Sequence, residues 1–324
     1  MITNFTRMRS FFLLGFPGLS PQYYGHVSAL LFFIYQAIVV GNIFITAFIV
    51  IEKSLQKPTY MVFCHLALND LTFGTVTLPK IIAKYWFGDG IITFYGCFVQ
   101  MFFVHYLGSV TSFMLLVMAL DRFIAVCIPL YPLLFTNQNV SIACCCCWVL
   151  TFIRMMGIVL HASTLPYCDL NIIMQCYCDH VSITQLGCGD KVAYVKSVAL
   201  GNAMVTLLVP LTVIILSYFF IIVAVLRMPH TERRHRVLST CAPQLFITCL
   251  YYVPRCFVYL ANNLGFSFSP VARIIITMTY SLVPAVNPVI YCFKTKDIKE
   301  ALMQRFKNRK ISIAIKTDCR QTIK

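Results

Sequence analysis

LVMALDRFIAVCIPL, residues 116–130, decides how this chain is read. Asp121 and Arg122 interrupt an apolar run that resumes after them. A charged side chain within a bilayer costs about 2.5–3.5 kcal/mol on insertion scales, so a charged pair at this place needs a reason. Composition shows what kind of run it is. Of 324 residues, 59% are hydrophobic and only 11% charged, with a mean hydropathy of +0.80. Soluble domains carry about 25% charged residues. One soluble core cannot hide that much apolar surface, which makes a membrane protein the default class.

A helical span needs about 20 predominantly apolar residues. Seven stretches qualify: 27–51, 59–84, 97–120 with an extension to 128, 140–163, 194–226, 237–262 and 270–293. The expected fold is an all-α membrane protein, a seven-transmembrane helix bundle. Residues 1–26 form its outer N-terminus, 27–293 the bundle, and 294–324 a cytoplasmic tail. The connections are short except between the fourth and fifth spans, and no soluble domain or low-complexity tract interrupts them.

Charge sets the expected orientation. With the N-terminus outside, 17 of the 26 Lys and Arg residues fall at the inner side, most of them in the tail. This follows the positive-inside rule. Asn4-Phe5-Thr6 is an N-x-T glycosylation acceptor, which agrees with an outer N-terminus. Asn139-Val140-Ser141 matches the same pattern but falls inside, where no glycan is expected. The first span reads as an uncleaved signal anchor. The net charge of +15 sits mainly in the tail and third inner loop. There it faces anionic lipid and cytosolic partners, and no nucleic-acid partner is expected.

Most of the sixteen cysteines lie within spans, where they are small packing residues. Cys97, Cys168, Cys176, Cys178 and Cys188 lie outside, in an oxidising environment. A Cys97–Cys178 bridge would pin the long outer loop over the bundle, and Cys168 and Cys188 could close a second. Cys176 is then left over. Sequence alone does not fix this connectivity. No C-x-x-C pair with matching histidines is present, so no metal is expected.

A series of motifs now appears in order along the chain. It comprises Gly41-Asn42, Leu66-Ala67-Leu68-Asn69-Asp70, CFVQMFFVH (97–105), MALDRFIAVCIPL (118–130), Trp148, Pro210, Ser217-Tyr218, RVLSTC (236–241), YYVP (251–254), NPVIY (287–291) and KTK (294–296). In this series the chain resembles a rhodopsin-like G-protein-coupled receptor, specifically an odorant receptor of the fish-like class.

The resemblance gives the charged pair a role. Asp121 is expected to hold Arg122 at rest, and outward swing of the sixth helix frees Arg122 for a G protein. Tyr218 and Tyr291 would lock the active state around it. Asn42, Asp70 and Asn287 would form a polar core, which in the family often holds sodium or water. Thr111 stands where many odorant receptors carry a carboxylate, which counts against sodium. Phe123 replaces the usual tyrosine after the arginine. Pro243-Gln244 replaces the usual Ser-His and puts a second proline, with Pro254, into the sixth helix, favouring another kink.

Matching positions imply a ligand site of His105, Ser109, His180, Asn202, Thr206, Tyr252, Arg255, Tyr259 and Tyr280. This mixture suits a small odorant with one or two polar groups. Arg255 is the residue that narrows the ligand, because an arginine inside a span is a functional candidate and its planar fork suits a carboxylate, sulfate or phosphate. An anionic or zwitterionic odorant is therefore expected. The structural alternative pairs Arg255 with Asp169 or Asp179, or stacks it on a tyrosine. Arg154 raises the same question, with the loop or headgroups as its alternative. His105 and His180 serve as hydrogen-bonding walls or as titrating groups. The run Cys144–Cys147 is read as packing.

The function expected is an odorant receptor in the plasma membrane of olfactory cilia, coupled to a stimulatory, olfactory-type G protein that raises cAMP. It has no cofactor. An alternative is a rhodopsin-like receptor for an endogenous metabolite outside olfactory tissue. A transporter or ligand-gated channel is the other class, though no broken helix pairs or charged pore ring support it. No P-loop, H-E-x-x-H or G-x-S-x-G motif points to an enzyme.

Overall fold

The structure is a computed structural model. It describes residues 9–128, 135–168, 171–229, 231–263, 269–305 and 307; in the sixth and seventh helices some side chains, including those of Tyr259 and Tyr280, lie outside the described set. Seven long helices dominate: α1 (Tyr24–Ile51), α2 (Pro58–Phe87), α3 (Phe94–Cys127), α4 (Asn137–Ser163), α5 (Lys191–Leu226), α6 (Thr231–Asn263) and α7 (Pro270–Lys294). Among the described residues, six reach the length and apolarity needed to cross a membrane; the seventh contributes the shorter apolar stretch Leu282–Phe293. Most run several residues beyond the apolar stretches, because polar turns extend a helix without extending its apolar run.

Local chemistry sets several of the ends. Pro58 and Pro270 open α2 and α7 at positions where a missing N–H costs nothing. Thr93, Thr136 and Ser269 cap α3, α4 and α7 by accepting from Gly96 N, Asn139 N and Ala272 N. Gly88 ends α2 in the left-handed region at φ 77°, a conformation that favours glycine. Pro243 and Pro254 both lie inside α6, whose helix continues through them.

α3 is the axis of the bundle and packs on α2, α4, α5 and α6, while α1 lies against α2 and α7. Gly41 brings α1 close to α7: a Cβ there would meet Pro288 Cβ at 3.1 Å. Large apolar side chains such as Phe33, Val40, Leu150, Ile153, Ile215 and Phe219 remain exposed on the outer faces of α1, α4 and α5. Helices apolar on every side suit a lipid surround.

One end of the bundle carries a small sheet that the apolar pattern did not announce. β1 (Ser10–Leu13) pairs antiparallel with β2 (Ile91–Thr93) and parallel with β3 (Ile172–Ile173). The start of the chain thus joins the α2–α3 turn to the loop after α4. Phe11 and Leu13 are fully buried there, with Phe11 stacked on Phe94 at 5.8 Å between ring centroids.

Candidate functional site

Beneath the sheet, the loop after α4 turns into the bundle. Cys178 forms a disulfide with Cys97 at the start of α3, with Cα atoms 5.5 Å apart. Gln100, one turn on, receives the Cys178 N–H at 2.9 Å and donates to Val76 O at 2.8 Å, so loop, α3 and α2 are joined at one side chain. Cys168 and Cys188 form a second disulfide, with Cα atoms 5.9 Å apart. Cys176 remains a free thiol, fully buried, and burial pushes its pKa up to about 12. Such a thiol is a packing group rather than a nucleophile.

The loop then enters a short helix, His180–Gln185, capped by Asp179, whose carboxylate accepts from Ser182 N. His180 lies at its start and donates its N–H to His105 Nε2 on α3 at 3.1 Å. It is 5% exposed, and burial, with a smaller contribution from His105, lowers its pKa to about 4. Ser109, one turn further along α3, turns its hydroxyl back to His105 O.

One further turn along α3, Ser112 forms a polar junction. Its hydroxyl reaches Thr206 O on α5 at 2.8 Å and Tyr252 Oη on α6 at 2.6 Å. Thr206 also receives Arg154 Nη2 from α4 at 2.7 Å. Arg154 therefore points into the bundle, toward α5, with its guanidinium 5.5 Å from the Phe113 ring; the headgroup alternative for this arginine does not describe its contacts. Asn202 lies on the same side, with its amide 3.9 Å from Met155 Sδ.

Arg255 takes the tyrosine alternative. Its guanidinium lies 3.8 Å from the Tyr251 ring centroid, and Nη1 donates to Tyr251 O at 2.9 Å. It lines a cavity of about 20 Å³ with Asn69, Asp70, Thr111, Gly108, Tyr251 and others. Asn69 Nδ2 donates to Thr111 Oγ1 at 2.8 Å, and Asn287 Nδ2 to Asp70 Oδ2 at 2.7 Å. Asn42 donates instead to Ile38 O and Pro284 O, bridging α1 and α7 beside these two pairs. Of the alternative acids, Asp169 lies outside the described residues.

At the opposite end, Asp121 is 1% exposed and lies 3.7 Å from Arg122 Nε. Thr59 at the start of α2 donates to the same Asp121 oxygen at 2.8 Å. The hydroxyls of Tyr218 and Tyr291 are buried, and neither makes a hydrogen bond among the described residues. Tyr291 is instead stacked on Phe63 at 4.3 Å. Past α7, Asp297 meets Lys57 at 2.8 Å. Hydrogen bonds from Lys57 and then Tyr60 hold its carboxyl below the usual carboxylate range despite partial burial.

The structure brings together His105, Ser109 and His180, and separately Thr206 and Tyr252. The side chains of Tyr259 and Tyr280 and all of Asn4 lie outside the described residues. Gln100, Ser112 and Thr59 hold these groups in place and were not among the expected site residues, while Arg154, raised as a candidate beside Arg255, supports Thr206. Ser112 had a signal: 105, 109 and 112 follow the i, i+4, i+7 spacing of one helix face.

Seven long helices with α3 at their centre, six of them long and apolar enough to cross a membrane among the described residues, with a charged pair at one end and a pinned loop at the other, are the bundle of a seven-helix membrane receptor. A family model described as "Olfactory receptor" matches residues 31–309. The chain is 34% identical over 300 residues to "Olfactory receptor 52B2" of Homo sapiens, covering 91% of this chain and 92% of that protein. It is 35% identical over 308 residues to "Olfactory receptor 52N5" of Homo sapiens, covering 93% and 94%. It is 33% identical over 311 residues to "Olfactory receptor 51E2" of Rattus norvegicus, covering 94% and 95%. The chain belongs to the olfactory receptor family, a family of multi-pass membrane receptors for odorants that couple to G proteins.

Proposed function

We propose that the sheet end faces outward and that a small odorant lodges beneath the pinned loop, against His105, Ser109, His180, Asn202, Thr206 and Tyr252. Tyr259 and Tyr280 complete this set, and the odorant carries an acidic or zwitterionic group within reach of Arg255. Binding opens α6, frees Arg122 from Asp121 and recruits a stimulatory, olfactory-type G protein that raises cAMP. The receptor works in the ciliary plasma membrane of olfactory neurons. Asp121, Arg122, Tyr218 and Tyr291 form the switch, and Asn4 carries a glycan.

The observation that supports this most is the Ser112–Tyr252 bond of 2.6 Å. It ties α6 to α3 one or two turns from the His105–His180 contact, so a ligand at the loop disturbs the helix that must move. A ligand shifts such an equilibrium only through its preference for one state.

The test is a cAMP screen with amino acids, bile salts and short-chain acids in cells expressing the chain, repeated without the stimulatory G-protein subunit. A response that requires the subunit, and that acids lose in a surface-expressed Arg255→Ala variant, supports the reading. An unchanged acid response in that variant discards Arg255 as the anion contact. Ligand-evoked current or uptake without any G protein discards the receptor mechanism.

A further inference from the structure

The first turn of α2 meets two acids from other parts of the chain. Lys57, at the N-cap position, pairs with Asp297 at 2.8 Å. Thr59 donates to Asp121 at 2.8 Å. Tyr60 is buried and turns its hydroxyl to Asp297, which therefore has two donors on α2. Phe63, the next residue on this face, lies edge-on to Tyr60 and is stacked on Tyr291 at 4.3 Å.

Asp297 belongs to a short helix, residues 296–305, that leaves the end of α7. It follows Tyr291 by six residues. The two are joined by backbone bonds, because Thr295 N donates to Tyr291 O and Lys299 N to Thr295 O. Ile298, beside Asp297, is fully buried. A half-exposed ion pair contributes little by itself. Here the pair is reinforced by a hydroxyl from a buried ring and by a buried neighbour, so the position of this helix against α2 is set by several contacts at once.

We infer that Asp297 and Tyr60 are positioning residues of the receptor switch: with Lys57 they fasten the end of α7 to α2 and keep Tyr291 on Phe63 until activation. This rests on the reading of Asp121, Arg122 and Tyr291 as that switch. To reach Arg122, Tyr291 must leave Phe63, and the backbone bond from Thr295 carries the movement on to Asp297. Contacts present only at rest hold the equilibrium there, and their loss shifts it toward the active state. One turn of α2 thus restrains the acid of α3 and the tyrosine of α7 together.

The test begins with the purified, ligand-free full chain. Amide hydrogen exchange is followed at the Arg122 ends of α6 and α7 in Lys57→Met, Tyr60→Phe, Asp297→Ala, Asp297→Glu and the Tyr60→Phe, Asp297→Ala double variant. Exchange should quicken several-fold in the first three, while Asp297→Glu stays near wild type and the strands of the sheet keep their rates. The double variant should match Asp297→Ala alone, since it has no further contact with that carboxylate to lose. Unchanged exchange at the ends of α6 and α7, or a uniform increase that includes the sheet, would overturn the inference. Basal cAMP per surface receptor is then measured in cells. A several-fold rise in Tyr60→Phe and Asp297→Ala, abolished by adding Arg122→Ala, supports the latch and the switch together. A rise that survives Arg122→Ala would overturn the inference, since the latch would not act through that residue. Faster exchange with flat cAMP supports the latch and counts against stimulatory coupling instead.

Discussion

Thr59 Oγ1 donates to the same Asp121 oxygen that faces Arg122, at 2.8 Å against 3.7 Å for the arginine. Of these two partners, the closer is thus on α2 and not in the Asp–Arg motif itself. A hydrogen bond to a charged group is worth about 1.5–3 kcal/mol. If this bond belongs to the resting state, Thr59→Val moves the equilibrium toward the active state by roughly tenfold. Basal cAMP, normalised to surface expression, should rise several-fold. Unchanged basal cAMP would mean that Thr59 holds Asp121 equally in both states.

The sheet gives a second prediction. Phe11 is fully buried between Phe94 and Tyr167. Gly15, at φ +71°, passes so close to Tyr85 that a Cβ would clash with its hydroxyl. Phe11→Ala should cost about 3–5 kcal/mol at the site. Gly15→Ala should destabilise it both by clash and by its left-handed backbone. Both should lower surface expression and speed proteolysis of the chain before α1, while substitution of exposed Tyr23 should not.

The bundle was legible in the sequence because apolar runs and span length are one-dimensional signals. Asp121, Arg122 and Asp70 were legible because a charge in an apolar run stands out. The sheet was not. β1 is four residues long, lies beside apolar residues that merge with the first helix, and pairs with β3 across some 160 positions. Nor did the sequence give the direction of the two arginines. Arg154 and Arg255 each occur in an apolar run, and only the packing turns one toward Thr206 and the other toward the Asp70 cavity.

His180 makes the outer loop sensitive to acid. Its folded pKa of about 4 lies below the ordinary 6.5, chiefly because it is buried. The folded loop therefore favours the neutral ring, and its contribution is fully present above pH 6.5. It falls as the pH drops toward 4, because the unfolded chain binds the proton first. At about pH 5.5 the loss is of order 1.4 kcal/mol, close to tenfold in an equilibrium. Melting temperature should decline between pH 6.5 and 5, and His180→Asn should flatten that decline. An identical decline in the variant would place the sensitivity elsewhere.

The Ser112 junction offers the sharpest separation of ligand contact from helix coupling. Its hydroxyl meets Tyr252 Oη and Thr206 O, and Thr206 Oγ1 receives Arg154. Tyr252→Phe removes one α3–α6 bond and leaves the ring in place. If the bond holds α6 closed, the variant should show raised basal cAMP and a lower EC50 for the same agonist, each by several-fold. Ser112→Ala removes the same hydroxyl–hydroxyl bond together with the one to Thr206 O, so it should raise basal cAMP at least as much, and the double variant should fall well short of the sum of the singles, since they share that bond. Arg154→Met should behave differently. It deletes the α4–α5 bond from Arg154 Nη2 to Thr206 Oγ1 and leaves the Ser112–Tyr252 bond to α6 in place, so its effect lies on α4–α5 packing and on expression, with basal activity little changed. A Tyr252→Phe receptor with unaltered basal cAMP and a raised EC50 would instead assign the hydroxyl to the ligand.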